Sequence, residues 1–382
     1  MSVAAERIVP SIPAESRPAP PDAWLAGTVA LLVAFGLVMI FSASSATAYA
    51  LHHDATYYLK RQLIWLVVAV PLAFAAYRCD YRVLRRLAPL GLAATFLCLV
   101  AVLIPHVGLA SGGARRWLGA GVLTFEPSEF AKLALVVYLA SALTRKGERV
   151  RSMVAGVFPI VAVTASLALL VLAEPDMGTA SLLVFTSAAM LFAAGARLVH
   201  MVLVALVTLP PAALLGLASA YRRARILAFM NPWKDPLNTG FHIVQSLLAL
   251  GSGGLLGVGL GLSRQKYFYL PEQYTDFIFA IVGEELGLLG TCLVLALFVV
   301  FAYRAVRIAL RAPDRFGFLL AVGCACTVVV QAFVNIGVVT SSWPVTGVPL
   351  PFISFGGSSL VTSLVAAGLL LNVGRRRSRE YS

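Results

Sequence analysis

The chain has 382 residues, 60% of them hydrophobic and only 12% charged, with a mean hydropathy of +0.88, a composition that excludes an ordinary soluble domain. Its net charge of +13 would suit a nucleic-acid binder, but the cations lie in short clusters between apolar runs, which excludes that class. The clusters are Arg78, Arg82, Arg85 and Arg86; Arg145, Lys146, Arg149 and Arg151; Arg304, Arg307, Arg311 and Arg315; and Arg375, Arg376, Arg377 and Arg379. This is the positive-inside pattern of a polytopic membrane protein.

Residues 1–22 are rich in Pro, Ala and Ser and lack the apolar core of a signal peptide, so they read as a disordered cytoplasmic tail. Apolar runs follow near 23–45, 61–77, 87–107, 127–144, 153–173, 178–195, 198–219, 277–302, 317–338 and 354–373. Each approaches the roughly 20 residues that cross a hydrocarbon core of ~30 Å as a helix. The expected fold is an all-α integral membrane protein with about ten transmembrane helices in one domain, 23–374, and a basic tail at 375–382. With the N-terminus inside, alternation of sides places all four basic clusters and both termini in the cytoplasm. Cys79, Cys98, Cys292, Cys324 and Cys326 lack zinc-site spacing and imply neither a disulfide nor a metal framework.

The same threading puts three polar stretches outside. In 108–126, Arg115 and Arg116 sit in a Gly-rich loop beside Trp117; arginine forks suit phosphate oxygens, and an interfacial anchor is the alternative. Glu129 and Lys132 open the fourth span three residues apart on one helical face, as a substrate-facing pair or a structural ion pair. The turn EPDMG carries Glu174 and Asp176, where capping of the next helix is the ordinary role. The long segment 220–276 contains FHIVQSLLAL and LLGVGLGL, too apolar for a linker, and reads as a large structured extracytoplasmic loop between the seventh and eighth helices, with short interfacial helices. Its run GSGGLLGVGLG lacks the Lys-Ser or Lys-Thr and the preceding strand of a phosphate-binding loop, so close packing or a turn is expected.

Asp276 stands at the entry of the eighth span, as a functional carboxylate or, like Thr275, a helix N-cap. Glu284 and Glu285 follow about 12 Å deeper along that helix, so at least one must face the bundle interior or a polar cavity. Between the last two spans, Pro344, Pro349 and Pro351 forbid a regular helix, and irregular backbone near membrane depth is tolerated where it lines a cavity. Taken together, the carboxylates Asp176, Glu272 and Asp276 and the cations Arg115, Arg116, Arg264 and Lys266 suit an anionic head group on a lipid tail.

The stretch NPWKDPLNTGFHIVQSLLALGSGGLLGVGLGLSRQKYFYLPEQYTDFIFAIVGEELGLLG resembles the signature of the SEDS family (FtsW, RodA and SpoVE). RRWLG with FEPSEFAKL, EPDMGTA and GVPLPFISFGGSSL resemble its other blocks in the same order, so the likeness covers nearly all of 24–375. The compact SRQKYFYLPE connection is closer to the FtsW and SpoVE branch than to the RodA branch. His242, Tyr274 and Ser341-Ser342-Trp343 depart from the usual pattern, and Tyr274 removes a neighbouring histidine from consideration.

The resemblance implies a peptidoglycan glycosyltransferase that polymerises lipid II on the outer face of the bacterial cytoplasmic membrane with a class B penicillin-binding transpeptidase and other division proteins. It carries the essential aspartate onto Asp276, further polar positions onto Glu129, Lys132 and Asp176, and an arginine onto Arg116. Asp276 is then the expected general base in an inverting displacement, with Arg116, Lys132 or a divalent cation (Mg²⁺ or Mn²⁺) answering the charge of the undecaprenyl pyrophosphate leaving group. A lipid II flippase and a non-catalytic division scaffold are the rival readings.

Overall fold

The computed structural model describes residues 20–376 apart from 112–113, 121–122 and 219; most of the expected N-terminal tail and the end of the basic C-terminal tail lie outside these residues. Each of the apolar runs read from the sequence coincides with a helix: α1 (Ala23–His52), α2 (Tyr57–Arg78), α3 (Tyr81–Leu103), α4 (Pro127–Lys146), α5 (Phe158–Ala173), α6 (Met177–Ala193), α7 (Leu198–Ala218), α10 (Ile278–Leu310), α11 (Arg315–Val339) and α12 (Gly357–Arg375). Seven helices among the described residues are long and apolar enough to cross a bilayer: α1, α2, α3, 153–173, α10, α11 and α12. The shorter α6 has 17 residues, and α4 carries Glu129, Lys132, Arg145 and Lys146.

The bundle is tied together where helix ends meet charges. Asp22 accepts the Leu25 N–H at 3.0 Å and so caps α1, and the same carboxylate pairs with Arg304 near the far end of α10. One buried side chain thus satisfies a helix end and joins α1 to α10. Where α12 crosses α2, Gly357 lies on the Trp65 ring and Gly368 against the Ala73 backbone, at distances no Cβ would tolerate.

Two departures from expectation shape the site. Residues 109–125, expected as a Gly-rich loop in an all-α protein, form a small antiparallel sheet of β1 (Leu109–Ser111), β2 (Ala114–Ala120) and β3 (Leu123–Phe125) in the order β1-β2-β3. β1 and β3, three residues each, are too short to show a period, and β2 (ARRWLGA), which carries Arg115 and Arg116, lacks strict polar–apolar alternation. The second departure is in α10, which breaks at Gly287 (φ 64°, ψ −158°).

The expected loop segment 220–276 folds as α8 (Ala220–Met230), a 3₁₀ turn at Pro232–Lys234, α9 (Phe241–Gly253) and an irregular stretch that runs alongside the α10 break. Val258 and Gly259 donate to the carbonyls of Glu284 and Glu285, both at 3.0 Å, while Leu288 and Leu289 donate to those of Gly254 and Leu255 at 2.9 and 3.2 Å. The backbone groups released by the break are therefore paired, as membrane burial demands. Gly257 (φ 80°) and Gly287 face each other so closely that neither has room for a Cβ, which explains the glycine run as a packing device.

Candidate active site

The site is organised by the irregular segment between α11 and α12. Its prolines prevent a helix, and its polar groups are met by side chains from several elements. Asn335 on α11 donates to the carbonyls of Val348 and Asp276, both at 2.7 Å. One turn earlier, Gln331 donates to the Pro349 carbonyl at 2.9 Å and to Ser359 Oγ at 3.1 Å. Ser354 Oγ accepts the Leu350 N–H at 2.8 Å and donates to the Thr275 carbonyl at 2.5 Å, and the Phe355 N–H reaches the Tyr274 carbonyl at 2.9 Å. Gln62 from α2 brackets the far end through Ser354 O and the Gly356 N–H, at 3.3 and 3.2 Å.

Asp276 is thereby held by its own backbone, half-buried, on the 270–277 turn. α10 starts at Ile278 with Phe277 at the cap position, so Asp276 stands one residue ahead of the cap. Gly347 (φ 76°) faces the carboxylate, and a Cβ there would stand 3.5 Å from Asp276 Oδ2. On its other side the same segment packs on the start of α6, where Gly178 leaves no room for a Cβ against Thr346 and Val348. Asp176 caps that helix by accepting the Thr179 N–H at 3.0 Å. Thus the Asp276 turn and the Glu174–Asp176 turn lie on either side of 346–348.

Arg116 reaches the second turn from β2, donating from Nε to the Glu174 carbonyl at 3.0 Å and from a terminal nitrogen to the Pro175 carbonyl. The Glu174 carboxylate is fully buried, and among the described residues neither oxygen has a hydrogen-bond partner. Burial and the nearby Asp176 push its pKa up to about 8, against the opposing pull of Arg116. Glu126, just before α4, is raised for the same reasons: burial first, then Asp176 and Glu129.

Glu129 and Lys132 are both buried and pair with each other at 2.8 Å. Lys132 also donates to Gln331 Oε1 at 2.5 Å, and Thr362 Oγ1 donates to Glu129 at 3.0 Å. Because Gln331 holds Pro349 as well, this ion pair is wired to the segment that faces Asp276.

Arg264 and Lys266, expected as open cations on the outer face, diverge in the structure. The Arg264 side chain is exposed, and its backbone N–H donates to Glu284 at 2.9 Å. Lys266 is buried, with Nζ 3.6 Å from Glu285 and bonded to the Gly261 carbonyl. The turn around them folds inward because Glu284 and Glu285 are both buried and need donors. Ser42 supplies Glu285 at 2.6 and 2.7 Å, while Ser263 and Gln265 join Arg264 on Glu284. Lys266 is therefore placed as a structural partner, not as an outward cation. Among the described residues no group of three or more His, Cys, Asp or Glu side chains converges as a metal site.

The family model described as cell cycle protein, covering FtsW, RodA and SpoVE, matches residues 22–379. The chain belongs to this family. It is 46% identical over 355 residues to stage V sporulation protein E of Bacillus subtilis (strain 168), covering 93% of this chain and 97% of that one. It is likewise 46% identical over 345 residues to the probable peptidoglycan glycosyltransferase FtsW of Geobacter metallireducens, covering 90% and 92%. Among solved structures it resembles a chain of a peptidoglycan synthase complex that coordinates polymerization and crosslinking (TM-score 0.77, 31% identity, 94% of this chain and 99% of that one). It also resembles the crystal structure of Thermus thermophilus rod shape determining protein RodA (TM-score 0.69, 30% identity, 94% and 98%).

Family membership and the seven long apolar helices make it a multi-pass membrane protein. Within this family member the sequence reading passed over Gln331, Asn335, Gln62, Ser354 and Glu126. The signal for the first two was present: two amides four apart on one face of the otherwise apolar α11.

Proposed function

We propose that this protein polymerises lipid II into glycan strands on the outer face of the bacterial cytoplasmic membrane, with Asp276 as general base. The observation that carries the reading is Asp276 itself. It is a half-buried carboxylate just ahead of α10, and its position is fixed by Asn335 and by the segment that also joins the Glu129–Lys132 pair and abuts the Arg116 turn. A carboxylate held in place this way beside Gly347 is suited to accept a proton from a substrate placed next to it.

In the proposed step, the 4-hydroxyl of the acceptor N-acetylglucosamine attacks the anomeric carbon of the donor N-acetylmuramic acid, and Asp276 takes the hydroxyl proton. The bond from that carbon to the pyrophosphate oxygen breaks, and undecaprenyl pyrophosphate leaves with the electron pair. An α-linked donor giving a β-linked product requires one displacement with inversion. Arg116 uses donors on the Glu174–Pro175 carbonyls and retains others of its five for phosphate oxygens. Burial and neighbouring acids raise the pKa of Glu126 and Glu174, which favours their neutral forms and so lowers the negative charge a pyrophosphate meets.

Relatives named FtsW and the cell cycle description of the family support a septal role with a class B penicillin-binding transpeptidase, and the basic clusters support cytoplasmic termini. The test is reconstitution of purified protein with its transpeptidase partner and lipid II. Native protein is expected to form glycan chains and Asp276→Asn to lose them by about a hundredfold or more, the usual worth of a positioned base; normal polymerisation by the variant would refute the base assignment. Scrambling of lipid II by a protein that makes no polymer would instead favour a flippase.

A further inference from the structure

At the end of the bundle opposite Asp276, the start of α3, the end of α4 and the start of α11 enclose a cavity of about 530 Å³. Five arginines line it: Arg82, Arg85, Arg86, Arg145 and Arg315. Its one acid, Asp314, is fully engaged, accepting from Tyr81 Oη at 2.7 Å, Arg82 Nε at 3.2 Å and the Gly317 N–H at 2.7 Å. Arg315 is fixed against the carbonyls of Ala194 and Gly147, at 3.0 and 3.4 Å. Among the described residues Arg85, Arg86 and Arg145 have no carboxylate within ion-pair distance, so three unpaired cations line one concave space.

Arg85, Arg86 and Arg145 are solvent-exposed, and what sets them apart from scattered positive-inside charges is that α3 and α4 bring them to the lining of one cavity. Here they converge, and the helix that carries two of them continues as an apolar stripe. Arg86, Leu90 and Leu97 fall on one face of α3, and Val83, Leu90 and Leu97 are 52%, 72% and 70% exposed. From Arg86 to Leu97 the stripe is roughly 16 Å long at the helical rise, about one leaflet of a ~30 Å hydrocarbon core. A head-group-sized anionic socket at the base of a leaflet-long apolar face matches the two ends of one molecule.

We propose that this cavity seats the phosphate of an anionic phospholipid from the leaflet at that end of the bundle, with its acyl chains along the exposed face of α3. The guanidinium forks of Arg85, Arg86 and Arg145 hold the phosphate oxygens, and a zwitterionic lipid is disfavoured because its own cation enters a site with no free carboxylate. The site is separate from the proposed lipid II site, since ~30 Å of helix lies between the two ends of α3 and α4.

The experiment is native mass spectrometry of the full-length protein in detergent, titrated with phosphatidylglycerol or phosphatidylcholine. The native protein is expected to retain phosphatidylglycerol in preference to phosphatidylcholine. The triple variant Arg85→Gln, Arg86→Gln, Arg145→Gln should bind phosphatidylglycerol about a hundredfold more weakly, at the usual worth of a basic residue near an anionic lipid. The charge-keeping triple Arg85→Lys, Arg86→Lys, Arg145→Lys should retain the preference, which separates loss of the site from loss of the fold. A charge-matched triple elsewhere, Arg149→Gln, Arg307→Gln, Arg311→Gln, should bind as the native protein does. Native-like binding by the first triple, an equal loss in the last, or no preference between the lipids overturns the proposal. Displacement of the lipid by equimolar glycerol 3-phosphate overturns it too, because the site would then read a soluble phosphate.

Discussion

Glu284 and Glu285 sit in a buried cluster where all four carboxylate oxygens have donors, from Ser42, Ser263, Arg264 and Gln265, with Lys266 close by. The cluster around the Glu174 turn is equally buried, but among the described residues Glu174 has no partner at either oxygen, and Arg116 grips backbone carbonyls there instead of carboxylates. Both regions place acids among membrane helices at a desolvation cost. Among the described residues only the first has that cost answered by partners, so it can serve as a fixed joint between the 254–266 stretch and α10. The second keeps capacity open, which is what a site for a charged substrate requires.

Breaking the closed cluster should have the largest effect on stability. Glu285→Ala leaves Lys266 buried without its carboxylate, and a loss of about 3–5 kcal/mol in thermal or denaturant unfolding is expected. Unfolding unchanged from native would mean that the cluster is not a joint. The next effect falls on the hub of the open site. Asn335→Ala removes two hydrogen bonds of 2.7 Å that position Asp276 and Val348. It should lower kcat by roughly tenfold to a hundredfold while KM for lipid II changes little, because misplacing a reacting group costs turnover.

The smallest effect concerns pH. Glu174 is neutral below its raised pKa of about 8 and ionises above it, adding negative charge beside the proposed pyrophosphate. kcat/KM should therefore fall as pH rises through that value, and Glu174→Gln, neutral throughout, should flatten that limb by a few-fold. An identical alkaline limb in the variant would assign the titration to another group.

Much of this architecture is legible in the sequence for plain physical reasons. Runs of apolar residues long enough for a bilayer have one structural outcome, and each became a helix. The three-residue spacing of Glu129 and Lys132 allowed the pair that forms, and an aspartate before a helix, as at Asp176, is the ordinary cap. What stayed hidden depends on distant partners. The α10 break at Gly287 is invisible within an apolar run, because the groups that satisfy it come from residues 254–259. Lys266 turns inward to an acid 19 positions later, and Asn335 acts through carbonyls that no spacing rule links to it. The sheet formed by β1, β2 and β3 is hidden for another reason: β1 and β3 have only three residues each, and β2 does not alternate strictly between polar and apolar residues.

The most direct test of the central claim measures binding and chemistry on one preparation of Asp276→Asn. Lipid II affinity should remain within about threefold of native, since a half-buried Asp to Asn change keeps the shape of the site, while turnover falls by at least about a hundredfold. Turnover that survives, or that falls only in step with a loss of lipid II binding, would contradict the assignment of Asp276 as the base.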